Sequence, residues 1–237
     1  MRSIVILLLS ISLNTLAQQS PKPYGALPTK RQLAWHDIET YGLIHFTPTT
    51  FENKEWGYGD ADPKTFNPTN FDAEQIVKAA KAGGLKGIIL VAKHHDGFAL
   101  YPSKYTKHTV AKSNWKNGKG DVVKDLSEAC KKYGIKFGIY LSPWDRNHPD
   151  YGTDKYNLVY AAMQKELLTN YGPIFEFWYD GANGEGPNGK KQVYNWPLFN
   201  NTVLKYQPNA IQFSDSGPDI RWVGNERGFA YDKTWSP

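Results

Sequence analysis

Residues 175–183 read FEFWYDGAN, a short run of bulky side chains that ends by delivering a carboxylate, Asp180. Phe175, Phe177 and Tyr179 alternate with Glu176 and Trp178, the two-residue period of an extended chain. Gly181 and Gly184 follow, residues that allow a sharp turn over a bound molecule. An acid at the C-terminal tip of a buried strand occupies the catalytic position of a β/α barrel.

Strand and helix patterns alternate on both sides of this stretch. Strands are expected at 41–46, 87–92, 135–141 and 210–214, and helices at 72–82, 121–133, 154–171 and 196–206. Asp72 suits the start of its helix and Gly83 and Gly84 its end, while Gly172 and Pro173 punctuate the return to a strand at Ile174. These strands are too apolar to have a wet face, so a parallel sheet covered by helices is expected. No G-x-G-x-x-G follows the first strand and no P-loop is present, which removes the usual nucleotide cofactors. Titratable residues gather where strands end: His45 after the first, His94, His95 and Asp96 after the second, Tyr140 and Asp145 around the third, Asp180 after the fourth. Such convergence predicts a (β/α)8-like barrel. Five strands are clear, and 228–231 offers a sixth.

Composition narrows the classes further. The 237 residues are 40% hydrophobic and 14% aromatic, enough for a substantial core, and the eight Trp and fifteen Tyr offer flat faces that suit sugar rings as well as packing. The net charge of +5 is scattered, with no basic run interleaved with aromatics, so no nucleic-acid partner is expected. Residues 1–17, with one Arg and an apolar run, read as a secretory signal peptide, leaving 18–237 as a secreted or periplasmic catalytic domain. The run is too short to span a bilayer comfortably, no later stretch does better, and no Cys follows it to carry a lipid. Cys130, the single cysteine, lies in a helical pattern and reads as a packing residue.

LIHFTPTTF, ENKEWG, AKHHDGFALY, FGIYLSPWD, FWYDGAN and GPDIRWVGNERG together resemble the motif series of the family 29 α-L-fucosidases, in the same order along the chain. GNERG resembles the subgroup that acts on branched α-1,3 and α-1,4 fucosyl linkages. The resemblance implies a retaining mechanism, with Asp180 as nucleophile and Glu226 as acid/base. It further implies that His45, His94, His95 and Glu55 bind fucose hydroxyls, and that Tyr140 and Trp178 line the sugar, Trp178 against its C5 methyl. Arg221, Trp222 and, more distantly, Asp215 belong to the rim. The partner implied is a fucosylated oligosaccharide or glycoconjugate, with no cofactor. Family members continue through the rest of the barrel into a β-rich domain, so the chain is expected to be an amino-terminal portion with an incomplete barrel. A catalytically impaired fragment or a fucose-binding module is the alternative.

Without the resemblance, the favoured reading of Glu226 is a surface residue paired with Arg227 or Arg221, while His94 and His95 read as one core and one solvent-facing histidine, and Tyr140 and Trp178 as plain core. A zinc site built on His45, His94, His95 and Asp96 is disfavoured, because adjacent histidines on a strand point to opposite sides and no H-x-H or H-E-x-x-H occurs. No metal is expected.

Overall fold

Six strands form one sheet in the order β1 (Tyr41–Ile44), β2 (Gly87–Lys93), β3 (Lys136–Leu141), β4 (Glu176–Trp178), β5 (Ile211–Ser214) and β6 (Ile220–Arg221), and every neighbouring pair is parallel. The computed structural model describes residues 22–214 and 217–222. Helices α1 (Lys30–His36), α2 (Pro48–Glu52), α3 (Ala73–Ala82), α4 (Val122–Tyr133), α5 (Asp154–Asn170) and α6 (Trp196–Tyr206) alternate with the strands. The result is an incomplete (β/α) barrel. No helix among the described residues is long and apolar enough to cross a membrane.

The helix ends follow local chemistry. Asp72 Oδ1 accepts the Gln75 N–H at 3.0 Å and Asp121 Oδ1 accepts the Lys124 N–H at 2.9 Å, each satisfying a donor left free by the first turn. Cys130 is buried on α4, and burial pushes its thiol up to about 12, as befits a packing residue.

Alternation along each strand sorts the two faces. Ile88, Leu90, Ala92, Phe137, Ile139, Leu141, Phe177 and Tyr179 join the core between sheet and helices. Ile89, Val91 and Tyr140 face the barrel interior with Tyr41, Phe175 and Trp178. Because both faces are covered, the strands carry the continuous apolar runs of a parallel sheet. At the end of β2 the register slips: Val91 pairs with Tyr140 and Lys93 with Leu141, so Ala92 is an extra residue. The bulge turns Lys93 toward the helix side. There its ammonium lies 3.2 Å from Asp145 Oδ2, both side chains fully buried.

A further strand forms where none was expected, and one boundary needs correction. The sixth strand is Ile220–Arg221, whereas 228–231 lies outside the described residues. It pairs with β5 without a crossover helix, as five residues separate Ser214 from Ile220; the Asp219 carboxylate instead folds back to accept the Gln212 N–H at 2.9 Å. The first strand stops at Ile44 rather than Phe46, where the chain leaves the sheet for α2.

Helix α1 closes the interior from below. Trp35 Nε1 donates to Glu176 Oε2 at 2.7 Å, and Arg31 pairs with Asp219. Glu176 is fully buried, and burial raises its carboxyl to about 7, against the lowering effect of the Trp35 and Tyr41 hydrogen bonds.

Lys93→Met leaves Asp145 buried and unpaired, and is expected to cost about 3–5 kcal/mol in urea unfolding, with Lys93→Met/Asp145→Leu recovering much of that. Glu176 binds its proton more tightly folded than unfolded, so stability falls as pH rises from its ordinary 4.5 toward 7 and levels off above. The slope is about 1.4 kcal/mol per pH unit, and Glu176→Gln is expected to remove that component from the wild-type pH profile.

Candidate active site

Asp180 lies two residues beyond β4 on the inward side of Glu176 and Trp178. Its carboxylate is held from two directions. Oδ1 accepts the Ala182 N–H at 2.7 Å, and Oδ2 accepts the Tyr140 phenol at 2.5 Å. Burial, reinforced by the Asp180 charge, pushes the Tyr140 hydroxyl well above its ordinary range, so it remains a donor.

The histidines arrive from the neighbouring strands. β2 ends at Lys93, and His94 to Asp96 form a turn closed by the Gly97 N–H on the His94 carbonyl at 3.0 Å. Strand alternation therefore does not govern this pair, contrary to the expectation of opposite directions: the His94 and His95 rings lie 4.0 Å apart at 32°. The His45 ring lies 4.4 Å from His94, tilted by 44°, and Tyr140 lies 5.9 Å away, nearly parallel to His94. Burial lowers His94 to about 2, assisted by its two histidine neighbours. Burial also lowers His95 to about 3, assisted by the charges of Lys93 and Arg146. Both rings are neutral near pH 7.

The tautomer of His95 follows from its partner. Ser142 Oγ donates its single proton to the Trp144 carbonyl at 3.0 Å, so at 2.7 Å it accepts from His95 Nδ1–H. Nε2 of the neutral ring is left as a lone pair, 3.8 Å from Asp180 Oδ2. Two acceptors thus face the pocket side by side, an arrangement suited to a ligand rich in hydroxyl donors. His94, His95 and Asp180 also offer ligand atoms within 4.8 Å of one another, a nitrogen and oxygen set of the kind zinc accepts.

The predicted residues fall into three groups. His45, His94, His95, Tyr140, Trp178 and Asp180 come together, the Trp178 ring 5.6 Å from Tyr140. Glu55 is exposed and lines a depression with Trp56, Tyr58 and Arg146 beside the cluster. Arg221 is half-buried on β6, two strands beyond Asp180, and Trp222 is exposed. Glu226 and Asp215 lie outside the described residues. Gly184 does not supply a left-handed turn, nor does Gly181; a Cβ on Gly184 would fall 1.9 Å from the Trp144 ring. Ser142 and Trp144 were not singled out from sequence. Their signal was a small hydroxyl and an aromatic in LSPWD, directly beyond a strand end.

The alpha-L-fucosidase family model matches residues 24–226. The chain belongs to the alpha-L-fucosidase family. It is 46% identical to Alpha-L-fucosidase 1 of Arabidopsis thaliana over 224 residues, which are 94% of this chain and 44% of that protein. A glycoside hydrolase 29 family member from an unknown rumen bacterium superposes with TM-score 0.83 at 47% identity, covering 87% of this chain and 40% of that one. A GH29 fucosidase of Ruminococcus gnavus, solved in complex with fucose, gives TM-score 0.80 at 33% identity, covering 94% and 51%. The chain spans less than half the length of the plant relatives it matches.

His95 is expected to keep its proton on Nδ1 and to show no titration between pH 8 and 5 by imidazole ¹⁵N NMR. Ser142→Ala is expected to mix the two tautomers, whereas Ser142→Thr preserves the wild-type pattern. A wild-type His95 protonated on Nε2 contradicts the assignment.

Proposed function

We propose that this chain carries the sugar pocket and nucleophile of a retaining exo-α-L-fucosidase that removes terminal α-1,3/1,4-linked fucose from glycans. The observation that carries the reading is the Asp180 carboxylate, held by the Tyr140 hydroxyl and the Ala182 N–H beside a neutral histidine with an acceptor nitrogen. These contacts orient the carboxylate without a formal positive charge to quench it. In the first step Asp180 attacks the anomeric carbon of fucose, the bond to the leaving oxygen breaks, and that oxygen takes a proton from Glu226. In the second, Glu226 removes a proton from water, which displaces Asp180 and releases fucose. Such a double displacement needs the two carboxyl groups about 5–5.5 Å apart.

His95 Nε2 accepts from a fucose hydroxyl in this reading, and a sugar lacking that hydroxyl leaves a buried lone pair unmatched. His45, His94 and Glu55 provide further hydroxyl contacts, Trp178 an apolar surface for the C5 methyl, and Arg221 a contact at the rim. Residues 1–17 direct export, and the substrate is a fucosylated oligosaccharide or glycoconjugate met outside the cytoplasm.

Hydrolysis of an α-1,3/4-fucosylated trisaccharide by the purified chain is the test. Asp180→Asn is expected to abolish turnover, and Glu226→Ala to lower it by about 10²–10⁴-fold, the usual contribution of a positioned acid or base. The first product seen by NMR should be α-L-fucose; β-L-fucose would overturn retention. Fucose binding without turnover would favour the binding module. A chelator is expected to change nothing, and turnover lost to a chelator and restored by zinc would favour a metal-dependent hydrolase using the His94, His95 and Asp180 cluster.

A further inference from the structure

The turn after β2 removes the geometric objection to a metal ion. His94 and His95 follow a bulge and sit in a turn rather than on a strand, so their rings lie 4.0 Å apart at 32° instead of pointing to opposite sides. Each offers a nitrogen and Asp180 an oxygen, all within 4.8 Å of one another. Among the described residues this is the one group of three His, Cys, Asp or Glu side chains that comes so close.

The edge from His95 Nε2 to Asp180 Oδ2 is 3.8 Å. Two ligands held at about 2.0–2.1 Å by a tetrahedral zinc ion lie about 3.3–3.4 Å apart, so this edge closes with a shift of about half an ångström. Rotation of the half-buried His94 ring supplies the rest. The other two ligands are already oriented from behind. Ser142 Oγ accepts His95 Nδ1–H, the kind of backing hydrogen bond that metal-bound imidazoles keep, and Nε2 is left bare. Asp180 Oδ1 is spent on the Ala182 N–H, while Oδ2, which takes the Tyr140 hydroxyl, retains a further lone pair.

The donor set selects the class of ion. Two imidazole nitrogens and one carboxylate oxygen suit zinc, whereas calcium asks for about six to eight oxygens and magnesium for an oxygen octahedron. Lys93, two residues before His95, is paired with Asp145, which blunts its repulsion of a second cation. We propose that the cluster is an inhibitory zinc site, in which one ion held by His94, His95 Nε2 and Asp180 Oδ2 occupies the atoms that fucose requires. The inhibition, though not the zinc binding, rests on the fucosidase reading. Zinc takes up the lone pair with which Asp180 attacks and stands where the sugar ring belongs. Its sign is opposite to that of a metal-dependent hydrolase: added zinc lowers turnover, a chelator restores it, and on the metal-free chain a chelator does nothing.

Zinc titrated into the metal-free whole chain, followed by calorimetry and imidazole ¹⁵N NMR, tests the site. One zinc per chain is expected to shift His95 Nε2 and a His94 nitrogen while His95 keeps its Nδ1 proton; magnesium at the same concentration is expected to shift neither. Ser142→Ala should weaken zinc about 10–100-fold, the usual cost of losing the hydrogen bond behind a metal ligand, and Ser142→Thr should retain the wild-type affinity. L-fucose should weaken zinc binding in proportion to its own occupancy, and zinc should raise KM for a fucoside with kcat unchanged. Zinc that leaves His95 unmoved, an equal response to magnesium, or zinc and fucose bound together without mutual effect overturns the proposal. If fucose neither binds nor turns over, the fucosidase reading fails by itself. The His95 shift then decides the zinc site alone, and an unmoved ring sinks it.

Discussion

The buried pair of Lys93 and Asp145 joins the turn that carries the histidines to the loop that supports them. Lys93 sits two residues before His95, and Asp145 three residues after Ser142. The Lys93 ammonium also reaches the Trp144 carbonyl at 3.3 Å and the Tyr156 hydroxyl at 3.4 Å. Asp145 spends its other oxygen on the Asn147 and His148 N–H groups at 2.9 and 2.8 Å. Burial works against the Asp145 charge, but the ammonium and these donors outweigh it and hold the carboxyl below its ordinary range. Gly97 completes the arrangement: with φ +79° it occupies a conformation other residues rarely adopt, and a Cβ there would meet Asp145 Oδ1 at 2.3 Å. Two loops from different strands thus meet at one fully desolvated ion pair. Its neutralisation by substitution with apolar groups can preserve stability, yet the direction it imposes on both loops is the part the pocket depends on.

The pocket's electrostatics follow from that packing. Among the described residues, the Asp180 carboxylate stands among imidazoles that burial keeps uncharged and a phenol that burial keeps protonated. A polyol entering such a site meets lone pairs and imidazole N–H groups rather than a field of like charges, so recognition is a matter of hydrogen-bond polarity. The Ser142 hydroxyl sets that polarity for His95 from behind the ring.

Much of the fold was legible because burial on both faces writes long apolar runs into β2 and β3, and because Asp72 and Gly83 mark the ends of α3 with side-chain and backbone chemistry. Helices of seven and five residues, α1 and α2, cover two turns or fewer, too few to repeat an apolar stripe, and the two-residue β6 shows no alternation at all. The family resemblance named the residues that meet at the strand ends. It could not say that His94 and His95 lie side by side, since a bulge at Ala92 and a turn replace the alternation that sequence reasoning assumes. Nor could the tautomer of His95 be read, because its partner lies 47 residues away on another strand end.

Helix α1 has a consequence for the order of events during synthesis. Its anchors are Glu176, 141 residues downstream of Trp35, and Asp219, 188 residues downstream of Arg31. At about 5–20 residues per second, roughly ten to forty seconds pass between the emergence of Arg31 and that of its partner. During that interval β1 to β3 can assemble with their covering helices from nearer contacts, while Trp35 waits for Glu176 on β4 and Arg31 for Asp219. Helix α1 is therefore among the last of the described helices to settle, and it seals the interior only when the chain has returned to the lower rim of the sheet.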